Sequence, residues 1–405
     1  MKIRSITYFC NPGWPIDKAT IRQAGRFTQA ARQAFGAAGY EVQSTRLATT
    51  PFLSYLPEGR LLPELAQQLE KLCAEQGIAY VSLGPAFPDR LESYAAIPAA
   101  LAATQNAFFS GSLTTPEGQI ALPAVRQCAE VIHQAATITP DGFTNLRFAA
   151  LANVSSGSPF FPAAYHAGGD PAFALATEAA DLAVQAFRRA STLTEAQQEL
   201  PRAIEQNARR LEAVAGELAA QFSVRFGGID FSLAPYPDQA VSLGAAMEAL
   251  GVNSLGLHGS LAAAAVLAEA IDRAQFRRVG FSGLMLPVLE DAILAQRSAD
   301  GTLGVKDMLL YSAVCGTGLD TLPLPGETTP DQLYALLLDV AALAVRLGKP
   351  LTARLMPIPG KQAGDPTGFD FEFFANSRVL ALDAAPLTGL LAGNDHFSLH
   401  PRKAL

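Results

Sequence analysis

The stretch MKIRSITYFCNPGWPIDKATIRQAGRFTQAARQAFGAAGYEVQSTRL, residues 1–47, decides the fold. Residues 3–9 are rich in β-branched and aromatic side chains. Residues 17–38 carry apolar positions at three- and four-residue spacing, and 41–47 return to a β-rich run. The spacing predicts a strand, an amphipathic helix and a second strand, the unit that lays parallel strands side by side. The same alternation continues outward, with candidate strands at 79–83, 107–110 and 146–151 and a helical pattern over 117–136.

The middle of the chain reads as helical. Asp170 and Pro171 form an N-cap followed by proline at the first helical position, predicting a helix to about residue 190. A second start at Thr194, with Thr192 as a competing cap, leads to about residue 222. Strand candidates then resume at 228–232, 254–257, 278–282, 319–324 and 351–356, separated by helical runs at 238–250, 260–273, 288–297 and 330–347. The expected order is five strands, a helical insert and five more strands. A Pro/Gly-rich loop follows from Pro357.

Apolar residues make up 49% of the 405 and charged residues 17%, so the chain has a large core and is not disordered. A net charge of −7 gives no basic footprint for nucleic acid. The N-terminus lacks the apolar core of a signal peptide. The longest apolar runs, 333–347 and 255–271, are interrupted by charge, so the expectation is a cytoplasmic protein that does not enter the membrane. Four cysteines without a CxxC pair exclude a disulfide framework and a four-thiolate metal site. Residues 1–50 carry an excess of five positive charges, which reads as a solvated helix face because Lys18, Arg22 and Arg26 recur every four residues.

The P-loop, dinucleotide, HExxH, EF-hand and GxSxG patterns are all absent. The C-terminal ends of strands in α/β folds carry ligand sites, and ionisable residues crowd glycines at those places in the second half. Asp230 and Ser232 end one strand. His258 and Ser260 open a helix, Ser282 ends a strand, and Glu290 and Asp291 precede another helix. Cys315 and Asp320 flank a Gly-rich turn; Arg354 lies on the last strand and Lys361 in the loop behind it. His166 adds a candidate from the first half. The expected scheme has Arg354, Lys361 and the serines Ser232, Ser260 and Ser282 holding an anionic small molecule. His166 or His258 is the general base and Cys315 the nucleophile or acid. Asp230 with Glu290, Asp291 or Asp320 is the candidate site for a divalent metal ion, since hard cations prefer carboxylate oxygen.

The blocks RFGGIDFSLAP (225–235), GLHGSLA (256–262), GFSGLMLPVLED (280–291), AVCGTGLDTLP (313–323) and TARLMPIPGKQAGD (352–365) resemble the family called domain of unknown function 711, also numbered UPF 0210. PAAYHAGGD (162–170) is a weaker match. The resemblance implies an α/β barrel of ten strands, built from two five-stranded parallel halves as in pyruvate formate-lyase, and a homodimer. On that reading the chain is one barrel domain over 1–405, with a first half at 1–155, the helical insert at 156–224, a second half at 225–380 and a tail at 381–405. Glycyl-radical chemistry is not expected, because Arg278-Val279-Gly280-Phe281 lacks the small residue before glycine and lies far from the C-terminus. The expected function is a non-radical enzyme acting on a small anionic metabolite, the alternative being a metabolite-binding or regulatory protein without catalysis.

Overall fold

The computed structural model describes residues 1–314 and 317–401. The strands are β1 (Lys2–Cys10), β2 (Val42–Thr49), β3 (Tyr80–Ala86), β4 (Ala107–Ser112), β5 (Ile120–Ala121), β6 (Phe148–Ala152), β7 (Ala172–Glu178), β8 (Arg225–Ala234), β9 (Gly318–Pro325), β10 (Leu351–Ile358) and β11 (His396–Phe397). Nine of them form one sheet in the order β8-β7-β1-β2-β3-β4-β6-β10-β9, and β5 pairs with β11. β1, β2, β3, β4 and β6 are mutually parallel. β7 joins antiparallel to β1, and β10 antiparallel to β6. β8 and β9 extend those two edges in parallel. The fold is therefore mixed α/β around a mostly parallel sheet.

Both faces of this sheet are buried, which explains the near-continuous apolar strands. Helices cover one face. Helix Lys18–Ala37, for example, buries Ile21, Ala24, Phe27, Ala31 and Phe35 on a single stripe. The other face is filled by the loop between β6 and β7. Thr7 Oγ1 donates to the Pro159 carbonyl at 2.9 Å, and Ser82 Oγ donates to that of Ala164 at 2.8 Å. Phe9, Ala48, Phe108, Phe161, Ala164, Ala172 and Ala174 pack into one apolar cluster around this loop.

Three expectations change. Residues 172–178 form β7 instead of the first turns of a helix. Alanine favours helix locally, but AFALATE alternates. Phe173 and Leu175 join the helix-side core, while Ala172 and Ala174 pack on the interior loop. Small residues there leave room for that loop, so tertiary packing overrides propensity. The helical stretch thus begins at Ala180 and connects β7 to β8. Its long helix Leu193–Phe222 is capped by Thr192, which accepts from the Glu195 N–H.

Residues 254–257 form a turn, not a strand. Gly256 has φ +99°, and a Cβ there would meet the Thr302 carbonyl at 1.8 Å, so the chain passes too close for a ladder. Residues 278–282 also fail to form a ladder. The segment 278–288 lies between the sheet edges β8 and β9 and forms one isolated β-bridge with each, Ile229–Arg278 and Pro287–Asp320. Gly280 and Ser282 have positive φ and Pro287 has no N–H to donate, so regular pairing is interrupted. Among the described residues the sheet has nine strands and is not closed, in place of the ten-stranded barrel expected.

Candidate active site

Five charged side chains cross the interior face as one chain of ion pairs. Arg4 Nη1 lies 3.0 Å from Glu178 Oε2, and Arg4 Nη2 lies 2.5 Å from Glu290 Oε2. Arg354 Nη2 is 2.7 Å from Glu290 Oε1, and its Nε is 2.5 Å from Asp320 Oδ1. Local backbone irregularities aim these groups. Arg4 is the extra residue of a bulge where β1 meets β7, and Asp320 sits in a bulge of β9 opposite Arg354. Glu290 lies in the turn before helix Ala292–Ala299. Burial raises the Asp320 carboxyl above the usual range, opposed by the Arg354 charge and reinforced by Glu290.

Beside this chain is a cavity of about 300 Å³. Arg4, Arg46, Arg147 and Arg354 line it, with Glu290 and Asp320. Its remaining walls are largely aromatic, including Phe108, Phe161, Phe281 and Phe371. Exposed Gln105, Asn106 and Glu372 form its rim. The cavity lies toward the N-terminal ends of β2, β3, β4 and β6, not at the strand C-termini.

Arg147 is held by neutral acceptors. Its Nη2 donates to the Leu101 carbonyl at 2.8 Å and its Nη1 to Thr104 Oγ1 at 3.2 Å, at the C-terminal end of helix Ile97–Ala103. Among the described residues Arg46 has no acidic partner. Its Nε donates to Ser44 Oγ at 2.9 Å. Among the described residues its two Nη groups make no hydrogen bond. The guanidinium lies 5.6 Å from the Tyr80 ring and 5.1 Å from the Phe161 ring. Desolvation, then repulsion from Arg4, pushes its pKa down to about 9. Arg46 nonetheless keeps some accessible surface, which faces the cavity.

Of the residues expected from sequence, Arg354, Glu290 and Asp320 converge here, as partners in ion pairs. Asp230 lies apart, in a nest of donors. It accepts from Ser232 Oγ at 2.7 Å, the Phe281 N–H at 2.7 Å and the Ser282 N–H at 2.8 Å. Ser232 and Ser282 therefore tie β8 to the 278–288 segment. Asp291 caps helix Ala292–Ala299 through the N–H groups of Ile293 and Leu294, and also accepts from Ser242 Oγ and the Leu243 N–H. Among the described residues no three His, Cys, Asp or Glu side chains gather as a metal ion would require. The four acids thus fall into three hydrogen-bond systems: Arg354 joins Glu290 and Asp320, while Asp230 and Asp291 are each saturated by their own donors.

His166 is buried beside Phe9, with ring centres 6.3 Å apart, and desolvation lowers its pKa. His258 is exposed in the turn before helix Ser260–Arg273, and Ser260 donates to the Leu257 carbonyl of that turn at 2.7 Å. Lys361 contributes its backbone, accepting from the Gly326 N–H at 2.9 Å. None of the three lines the cavity. Cys315 lies outside the described residues.

Arg4, Arg46, Arg147 and Glu178 were missed. A signal existed: the positive excess of residues 1–50 includes Arg4 and Arg46, which fall inside the β-rich runs and do not belong to the Lys18–Arg26 helix face.

Asp230 yields a pH prediction. Burial raises its pKa from 3.8 to about 6 despite its donors. A carboxyl whose folded pKa is raised costs stability at neutral pH, and the cost is relieved as pH falls through about 6 toward the unfolded value. Urea denaturation at pH 7 and pH 5 should show the wild type gaining about 1 kcal/mol relative to Asp230→Asn. Parallel behaviour of the two proteins would mean that the carboxylate is stabilised in place.

A family model described as "Uncharacterised ACR (DUF711)" matches residues 1–372. A UPF0210 protein of Pyrobaculum arsenaticum is 33% identical over 363 residues, 84% of this chain and 79% of its own length. One from Desulforudis audaxviator is 31% identical over 371 residues, 86% of this chain and 81% of its own. One from Methanopyrus kandleri is 29% identical over 370 residues, 86% and 82% of the respective lengths.

Proposed function

The chain belongs to the DUF711 family, whose relatives carry the name UPF0210, and from that premise we propose that its interior cavity binds a small organic anion at Arg46. The observation that carries this reading is a half-buried cation beside empty space, without an acidic partner among the described residues. A charge largely removed from water is costly unless something pairs with it. An anionic ligand supplies the missing partner, and the two free Nη groups suit an oxyanion's two oxygens. The isolated bridges of 278–288 to β8 and β9 support reading the sheet as a barrel of the pyruvate formate-lyase kind, with this segment as its tenth stave. The ligand then lies inside the barrel.

Asp320 is the group best suited to exchange a proton with that ligand, because it lines the cavity and burial raises its pKa. This favours acid–base chemistry over a passive site. The second reading, binding without turnover, is favoured by the ion pair that ties Asp320 to Arg354. Incubation with a metabolite pool separates the two. A metabolite consumed by wild type but not by Asp320→Asn marks an enzyme; one that only raises the melting temperature marks a binding protein.

Arg46→Met tests the common premise. The variant should lose every anion-dependent melting shift. Without ligand it should melt no lower than wild type, since the removed charge costs the empty protein stability. Shifts that persist in Arg46→Met would place the anion elsewhere.

A further inference from the structure

We infer that the anion taken by this cavity is a monocarboxylate with an apolar, aryl-sized body, and not a phosphate, a sugar acid or a dicarboxylate. The inference rests on the anion reading at Arg46 and deepens it.

The charge balance is the first argument. With Glu372 exposed to water at the rim, the groups on the interior side are Arg4, Arg46, Arg147 and Arg354 against Glu178, Glu290 and Asp320, an excess of one positive charge. One negative charge completes it. A second would sit unpaired in a desolvated site beside Glu290 and Asp320.

The second argument is the supply of polar partners. The serine and threonine hydroxyls lining the cavity are already engaged, which leaves, inside the rim, the Tyr80 hydroxyl and Gln43 Oε1 as its few uncharged polar groups without a partner among the described residues. Ser44 donates to the Arg4 carbonyl at 2.9 Å, Thr352 to the Thr317 carbonyl at 2.9 Å, and Thr317 to the Leu284 carbonyl. A ligand with several hydroxyls would turn most of them against rings, and each unsatisfied group is penalised.

The third argument is shape. Phe108 and Phe161 meet edge to face at 5.4 Å and 62°, and Phe281 and Phe371 add further ring surface. A cavity of about 300 Å³ is twice the ~150 Å³ that holds a benzene molecule. An aromatic ring with a short acid chain fills it. The Arg46 guanidinium lies against Tyr80 and Phe161, an arrangement suited to a bidentate carboxylate.

Calorimetric titration of the full chain with 3-phenylpropionate, succinate, gluconate and inorganic phosphate tests the inference. The expected result is 3-phenylpropionate at least tenfold tighter than the other three, and at least tenfold weaker on Arg46→Met. Succinate, gluconate or phosphate binding as tightly as 3-phenylpropionate, and lost in Arg46→Met, would overturn the aryl monocarboxylate while leaving the anion reading intact. No binding by any of the four overturns the inference; binding unchanged in Arg46→Met overturns the anion reading as well. The ranking in wild type stands whether or not the variant folds.

Discussion

Arg354→Met is expected to lower the unfolding free energy by about 3–5 kcal/mol. Arg354 bridges Glu290 and Asp320 at 2.7 and 2.5 Å, and all three side chains are almost wholly inaccessible. Methionine fills much of the same volume but leaves two carboxylates facing one another. Arg4 still holds Glu290, so Asp320 bears most of the loss. Removing one partner of a buried pair is costly because of the charge left behind, not because the pair was worth that much. The triple variant Arg354→Met, Glu290→Gln, Asp320→Asn should therefore recover more than half of the loss. Urea denaturation at pH 7 checks both. A single-variant loss below about 1 kcal/mol would show that water or a proton already compensates these carboxylates.

Gly280→Ala is expected to cost about 3 kcal/mol, more than any ordinary Gly→Ala change. Gly280 has φ +67°, where an added Cβ is strained. That Cβ would also stand 2.1 Å from Asp230 Oδ2 and 3.0 Å from Ser158 Oγ. Asp230 is fully buried and pinned by Ser232, Phe281 and Ser282, so it cannot move without stranding donors. The two positions should be coupled. In Asp230→Ala the added cost of Gly280→Ala should fall by at least 1 kcal/mol, since the clashing oxygen is gone. Additive losses would locate the damage in the backbone alone.

The first half of the fold was legible from strand and helix periods, and β1, β2, β3, β4 and β6 lie within a few residues of their expected positions. β7 was not. Its alanines suit a helix when read alone, and only the loop packed on Ala172 and Ala174 makes them strand residues. At the site, Arg354, Glu290 and Asp320 stood out because ionisable residues crowd glycines near the ends of the second-half strands. Arg46 did not, because it was counted with the positive excess of residues 1–50, which the Lys18, Arg22 and Arg26 spacing made read as a solvated helix face. His166 and His258 were chosen as residue types with titratable rings. One proved to be buried against Phe9 and the other exposed in a turn.

Hydrophobic period and turn chemistry are local, so the sequence by itself determined the α/β class, the parallel pairing of the first strands and the family. The direction in which β7 and β10 join that sheet, the loop that fills its interior, and the meeting of Arg4, Arg46, Glu290, Asp320 and Arg354 were decided only by tertiary structure. Those residues are separated by up to 350 positions, and their ionic partners depend on bulges and strand directions that no local pattern encodes.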